Sequence, residues 1–87
     1  MLSKKIKVNN PSGLHMRPAG VFVNAVTPYD SSISFNIRGN TYNAKSMINV
    51  LAAAVKSGDE IELVVDGADE QVCMDAAVSA IESGLGE

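Results

Sequence analysis

Three segments of this chain alternate with the two-residue period of a β-strand, and each has one apolar side. In residues 32–37, Ile33, Phe35 and Ile37 oppose Ser32, Ser34 and Asn36. In residues 60–65, Ile61, Leu63 and Val65 oppose Glu60, Glu62 and Val64. In residues 2–8, Leu2, Ile6 and Val8, with Lys4 at the same parity, oppose Ser3, Lys5 and Lys7. Strands of this kind cannot be buried on both faces. They predict a sheet with one dry face that helices must cover and one face left partly in water.

The segments between them supply the cover. Asn9-Asn10-Pro11-Ser12-Gly13 breaks the chain after the first strand. Residues 16–27 are ambiguous on propensity, since Val21, Phe22, Val23 and Val26 favour a strand. However, Pro18, Phe22, Ala25 and Val26 form a helical stripe, a proline in the first turn is well tolerated, and Pro28 closes the segment. A helix is expected there. Arg38-Gly39-Asn40 turns into a short strand, Thr41-Tyr42-Asn43, which completes a hairpin. Ser46 has the character of an N-cap before Met47, Ile48, Val50 and Leu51, and Ser57-Gly58 ends that helix region. After the turn at Asp66-Gly67, Asp69 is expected to cap a last helix with Glu70 in its first turn. The stripe of that helix is Met74, Ala77, Val78 and Ile81, and its C′ residue is Gly84. The order is β-α-β-β-α-β-α, and the expected class is an α+β two-layer sandwich. A chain of 87 residues with no internal linker is read as a single domain over residues 1–87.

Composition narrows the function classes. Seven basic against ten acidic residues leave a net charge of −3, which opposes a bulk electrostatic grip on nucleic acid. One cysteine, Cys73, rules out an internal disulfide, and no Cys/His set suits a structural zinc. No apolar run approaches the ~20 residues of a membrane span, and no signal-peptide core follows Lys4, Lys5 and Lys7. No metal or cofactor is expected. A soluble, cytoplasmic protein is.

His15 is the only histidine, and it stands where the first helix should begin, in Gly13-Leu14-His15-Met16-Arg17-Pro18-Ala19. A helix start presents unpaired backbone N–H groups and the positive end of the dipole. An anion attached to that ring would be stabilised by about 0.3–1 kcal/mol, and up to ~2 in good geometry. Arg17 can add a bidentate cation for phosphate. Together they describe a seat for a transient phosphohistidine. A surface histidine that merely caps a helix is the plainer alternative. Ser46 has two readings as well: a plain N-cap worth about 1 kcal/mol, or a regulatory phosphorylation site at a helix start. Met47, Ile48 and Leu51 beside it are either core or an exposed docking patch. Cys73 is read as core and unreactive, and Asp66, Asp69 and Glu70 as capping and turn residues.

At the string from Gly13 to Ala19 the chain closely resembles the HPr family, the histidine-containing phosphocarriers of the bacterial phosphoenolpyruvate:sugar phosphotransferase system. The similarity continues in Ala44-Lys45-Ser46, in Glu60-Ile61-Glu62-Leu63-Val64-Val65 and in Asp66-Gly67-Ala68-Asp69-Glu70. The resemblance implies an open-faced β-sandwich of four antiparallel strands with three helices on one face. It implies that His15 accepts a phosphoryl group on Nδ1 from enzyme I and passes it to enzyme IIA domains of sugar permeases, with Arg17 meeting the group in transit. Ser46 matches the position that an HPr kinase/phosphorylase modifies, after which family members dock on a catabolite-control repressor. Met16 and Gly20, with Met47, Ile48 and Leu51, fall on the implied partner-binding surface. The chain departs from the family at Met16 and Gly20, where Ala or Thr and Ala are frequent, and at Asn49 and Ala54, which are often glycine. The expectation for Met16 and Gly20 is altered packing or partner fit rather than altered chemistry.

A phosphoryl carrier that performs no turnover alone is the leading reading. The alternatives are a regulatory module acting through Ser46 and a small nucleic-acid module, the latter opposed by the charge. No direct contact with nucleic acid and no membrane insertion are expected.

Overall fold

In a computed structural model that describes residues 1–87, the alternating segments become neighbours in one sheet. The elements are β1 (Leu2–Lys7), α1 (Met16–Val26), β2 (Ser32–Ile37), β3 (Asn40–Asn43), α2 (Met47–Ala52), β4 (Glu60–Asp66) and α3 (Glu70–Glu82). The strands lie in the order β1-β4-β2-β3, each neighbouring pair antiparallel. β4 is flanked on both sides, so its inward residues are sealed: Ile61, Leu63 and Val65 are 1% exposed or less. The register sets Ile6 opposite Ile61 and Phe35 opposite Leu63, so apolar residues meet across the ladder. Burying one such side chain contributes about 1.5–3 kcal/mol.

The helices close over that apolar face. Phe22 of α1 meets Phe35 of β2 edge to face, with ring centroids 6.3 Å apart, and this contact joins the two layers. On the opposite face Lys5 stands across from Glu62 and Lys7 across from Glu60, with Ser34 and Asn36 further along. That is the open-faced α+β sandwich expected from the alternation and from the family resemblance.

The details differ in instructive ways. α1 buries Pro18, Ala19, Phe22, Val23 and Val26, while Ala25 is only half-buried. The helix touches both α2 and α3, so its covered arc is wider than the stripe expected for one neighbour. α3 buries Cys73, Met74, Ala77 and Ile81 and leaves Val78 half-buried. The turn between β2 and β3 is Arg38-Gly39 alone, with φ of 50° and 78°, the two-residue geometry that matches strand twist.

Asp69 corrects an expectation. It occupies the N-cap position of α3, but its side chain makes no cap. The carboxylate instead accepts from the N–H groups of Asp30 and Ser31, at 2.9 Å each, and from the Ser31 hydroxyl. Those donors hold its carboxyl below the usual range, the Ser31 hydroxyl contributing most. The residue pins the loop between α1 and β2, a partner 38 residues away that local sequence does not reveal.

Candidate functional site

The start of α1 is placed by the turn that precedes it. Gly13 has φ of 61°, and a Cβ there would lie 2.4 Å from the carbonyl oxygen of Val55. Only glycine allows so close an approach. The Leu14 N–H then donates to that same carbonyl at 2.9 Å, and Leu14 is buried. The chain is thus clamped to the segment before β4 one residue before His15.

His15 is the N-cap of α1, extended at φ −74° and ψ −178°. Its carbonyl accepts from the Ala19 N–H at 2.8 Å, but its side chain is exposed and caps nothing. The N–H groups of Met16 and Arg17 therefore have no partner in the chain, and Pro18 has no N–H to satisfy. Arg17 is exposed and joins no ion pair. An exposed imidazole, free amides and a guanidinium in no ion pair thus belong to one helix end. This arrangement can receive a compact anion bonded to the ring. None of the surface grooves is lined by His15 or Arg17. The site is a tip rather than a pocket, a shape that suits exchange with a protein surface better than capture of a small molecule.

α2 begins differently. Ser46 is its N-cap, as expected, and the Ser46 Oγ accepts from the N–H and the side-chain amide of Asn49, both at 3.2 Å. The Asn49 Oδ1 in turn accepts from the Asn43 N–H at 3.3 Å. Asn49 is thus a brace for the cap. Ala54, just beyond this helix, holds φ of 51°, the left-handed region that costs a non-glycine residue about 1–2 kcal/mol.

The residues expected to bind partners fall on α1 and α2, which pack on each other. Met16 is 65% exposed and Ile48 81% exposed; Leu51 is also exposed and Met47 is half-buried. A Cβ on Gly20 would meet nothing within 4 Å, so the glycine leaves open space on α1 and does not alter the packing. Cys73 is fully buried in α3, and burial pushes its thiol up from the usual value, which suits its expected inertness.

Comparison with known proteins agrees with this geometry. The family model described as the PTS HPr component phosphorylation site matches residues 2–83. The chain belongs to the HPr family. A phosphocarrier protein HPr from Treponema pallidum is 44% identical over 82 residues, covering 94% of this chain and 89% of that one. An HPr-like protein Crh from Halalkalibacterium halodurans is 37% identical, over 94% of this chain and 98% of that one. A crystal structure of HPr from Thermoanaerobacter tengcongensis superposes with a TM-score of 0.96 at 34% identity, covering 100% of this chain and 98% of that one. HPr proteins are phosphocarriers of the phosphotransferase system, and phosphoryl transfer within that system is the function of this chain. No helix of this HPr-family chain is long and apolar enough to cross a membrane.

One group near the HPr tip was not anticipated from sequence. Glu87 bonds to Asn10 and Ser12 in the turn before Gly13. Those donors, the Asn10 amide first, hold its carboxyl below the usual range, and the Arg17 charge adds a smaller push in the same direction. The only hint in the sequence was Gly84, which marks where the chain turns after α3.

Proposed function

We propose that His15 carries the phosphoryl group, and that the open start of α1 is the observation supporting this role. In the transfer, the lone pair of His15 Nδ1 attacks the phosphorus of a phosphohistidine on enzyme I. A new N–P bond forms as the donor N–P bond breaks, and the donor imidazole leaves with the bonding pair. The Met16 and Arg17 amides and the Arg17 guanidinium meet the phosphoryl oxygens. Delivery to an enzyme IIA domain repeats the exchange with His15 as the leaving group. The bond broken and the bond formed with enzyme I are both imidazole N–P bonds, so that exchange is close to even, as a relay requires. The chain accordingly acts as a carrier in the cytoplasm and turns nothing over by itself, enzyme I supplying most of the catalytic machinery.

The exposed apolar residues Met16, Ile48 and Leu51, with Met47 and the space left by Gly20, form the docking face for both partners. An interface of modest area suits partners that must separate quickly. Ser46 stands on the same side of the fold, on the helix that carries most of these residues. Its phosphorylation by an HPr kinase/phosphorylase would put charge beside the docking face, lowering acceptance from enzyme I and opening a contact with a catabolite-control repressor.

Incubation with phosphoenolpyruvate and enzyme I tests the reading. Acid-labile, base-stable label that disappears in His15→Ala is the expected outcome. Absence of label with a competent enzyme I would leave the regulatory role through Ser46 as the better account. Ser46→Asp is expected to reduce acceptance, and unchanged acceptance would remove α2 from the docking face.

A further inference from the structure

We infer that Glu87 is a positioning residue for the phosphoryl-acceptor tip, its carboxylate fastening the Asn10–Gly13 turn from which His15 projects. The inference rests on His15 being the acceptor. The tail that carries Glu87 is itself built. The Gly84 N–H donates to the Ile81 carbonyl at 3.2 Å and the Leu85 N–H to the Ala80 carbonyl at 3.1 Å, a Schellman ending for α3. Leu85 is fully buried, and the Glu87 N–H returns to the Gly84 carbonyl at 3.0 Å. A Cβ on Gly86 would be 3.5 Å from a methyl of Val21 in α1, so the tail runs against the functional helix.

From there Glu87 spans the turn. Its Oε1 accepts from the Asn10 side-chain amide at 2.8 Å and from the Ser12 N–H at 3.1 Å, and its Oε2 accepts from the Ser12 hydroxyl at 2.7 Å. Asn10 is 4% exposed, and its other amide contact is the Gly13 carbonyl at 2.7 Å. Its Oδ1 is buried with no partner, so the amide orientation is dictated by the two acceptors facing its nitrogen. Removing Glu87 deprives a buried amide of one of them. The turn then keeps its internal Asn10–Gly13 bonds and the contact of Gly13 and Leu14 with Val55, but loses its tie to the tail. His15 follows at once, and a small shift there moves the ring relative to the Met16 and Arg17 amides. Misplacement of about 1 Å can cost a transfer reaction roughly a hundredfold.

The test compares Glu87→Ala with Glu87→Gln in phosphoryl acceptance from phospho-enzyme I, resolving maximal rate from half-saturating concentration, with thermal melting and Ser12 amide exchange measured alongside. Gln keeps an acceptor for Asn10 and the Ser12 N–H but lacks the charge. The expected result is a maximal rate lowered about tenfold or more in Glu87→Ala, with half-saturation little changed, faster Ser12 exchange, and near wild-type behaviour in Glu87→Gln. Wild-type rates in both variants would overturn the inference. So would equal slowing in both, since charge rather than the tie would then matter. Should wild type accept no phosphoryl group at all, the assignment of His15 falls and takes the inference with it, a result readily told apart from the other two.

Discussion

Helices α1 and α2 begin side by side in function and opposite in chemistry. Ser46 spends its hydroxyl on the first turn of α2, with Asn49 bracing it from two directions. His15 holds the same position at α1 and spends nothing, leaving the Met16 and Arg17 amides open beside an exposed ring. A capped end has already committed its donors to the fold. An open end is destabilising for the helix and available to a ligand, so α1 must be held by other means. Those means are the buried residues from Pro18 to Val26, the Gly13–Val55 approach and the Leu14 bond to Val55.

The largest effect that could break this contrast is in His15→Ala, which is expected to abolish labelling by enzyme I while the melting temperature stays near wild type. A collapse in stability would mean that His15 supports the fold after all. Arg17→Ala comes next. Losing charge-assisted bonds of about 1.5–3 kcal/mol in the transfer state slows it roughly ten- to a hundredfold, again with little change in stability. Unaltered transfer rates would take Arg17 out of the site.

The start of α3 extends the comparison, because Asp69 directs its carboxylate to another loop. Its carboxyl is held below the usual range in the fold, the Ser31 hydroxyl being the main cause. Its contribution to stability is therefore complete above the ordinary carboxylate range and is lost as pH falls through the lower folded value. Asp69→Asn should melt earlier than wild type at neutral pH, with the gap narrowing in acid. A gap independent of pH would show that the charge is immaterial.

Ser46→Ala is expected to cost about 1 kcal/mol in denaturant unfolding while leaving acceptance by enzyme I intact, the mirror image of His15→Ala. The smallest change is Gly20→Ala. With nothing within reach of the new methyl, it should stabilise α1 by roughly 0.5–1 kcal/mol. Weakened saturation by enzyme I in that variant would place the partner directly over residue 20.

The sheet was legible because strand alternation is a local signal: Ile33, Phe35 and Ile37 declare a dry face wherever they occur. Helix α1 was harder, its β-branched residues arguing for a strand until the proline and the spacing were weighed. The breadth of its buried face, Ala19 and Val23 included, was out of reach, since α1 packs on both α2 and α3 from elsewhere in the chain. His15 and Arg17 stood in one short string and could be singled out together. A carboxylate just before a helix reads locally as a cap, so the sequence aims Asp69 at α3, and nothing near Glu87 in the sequence calls for a carboxylate.

Residue order alone settled the succession of elements, the one-sided sheet and the helix start that carries the histidine, since each depends on neighbours within a few positions. Folding decided which of the helix starts would stay open, where Asp69 and Glu87 would send their charges, and that Ala54 would be forced to a positive φ. These outcomes depend on donors and acceptors brought together from distant parts of the chain, and no periodicity in the sequence encodes a distance that only packing creates.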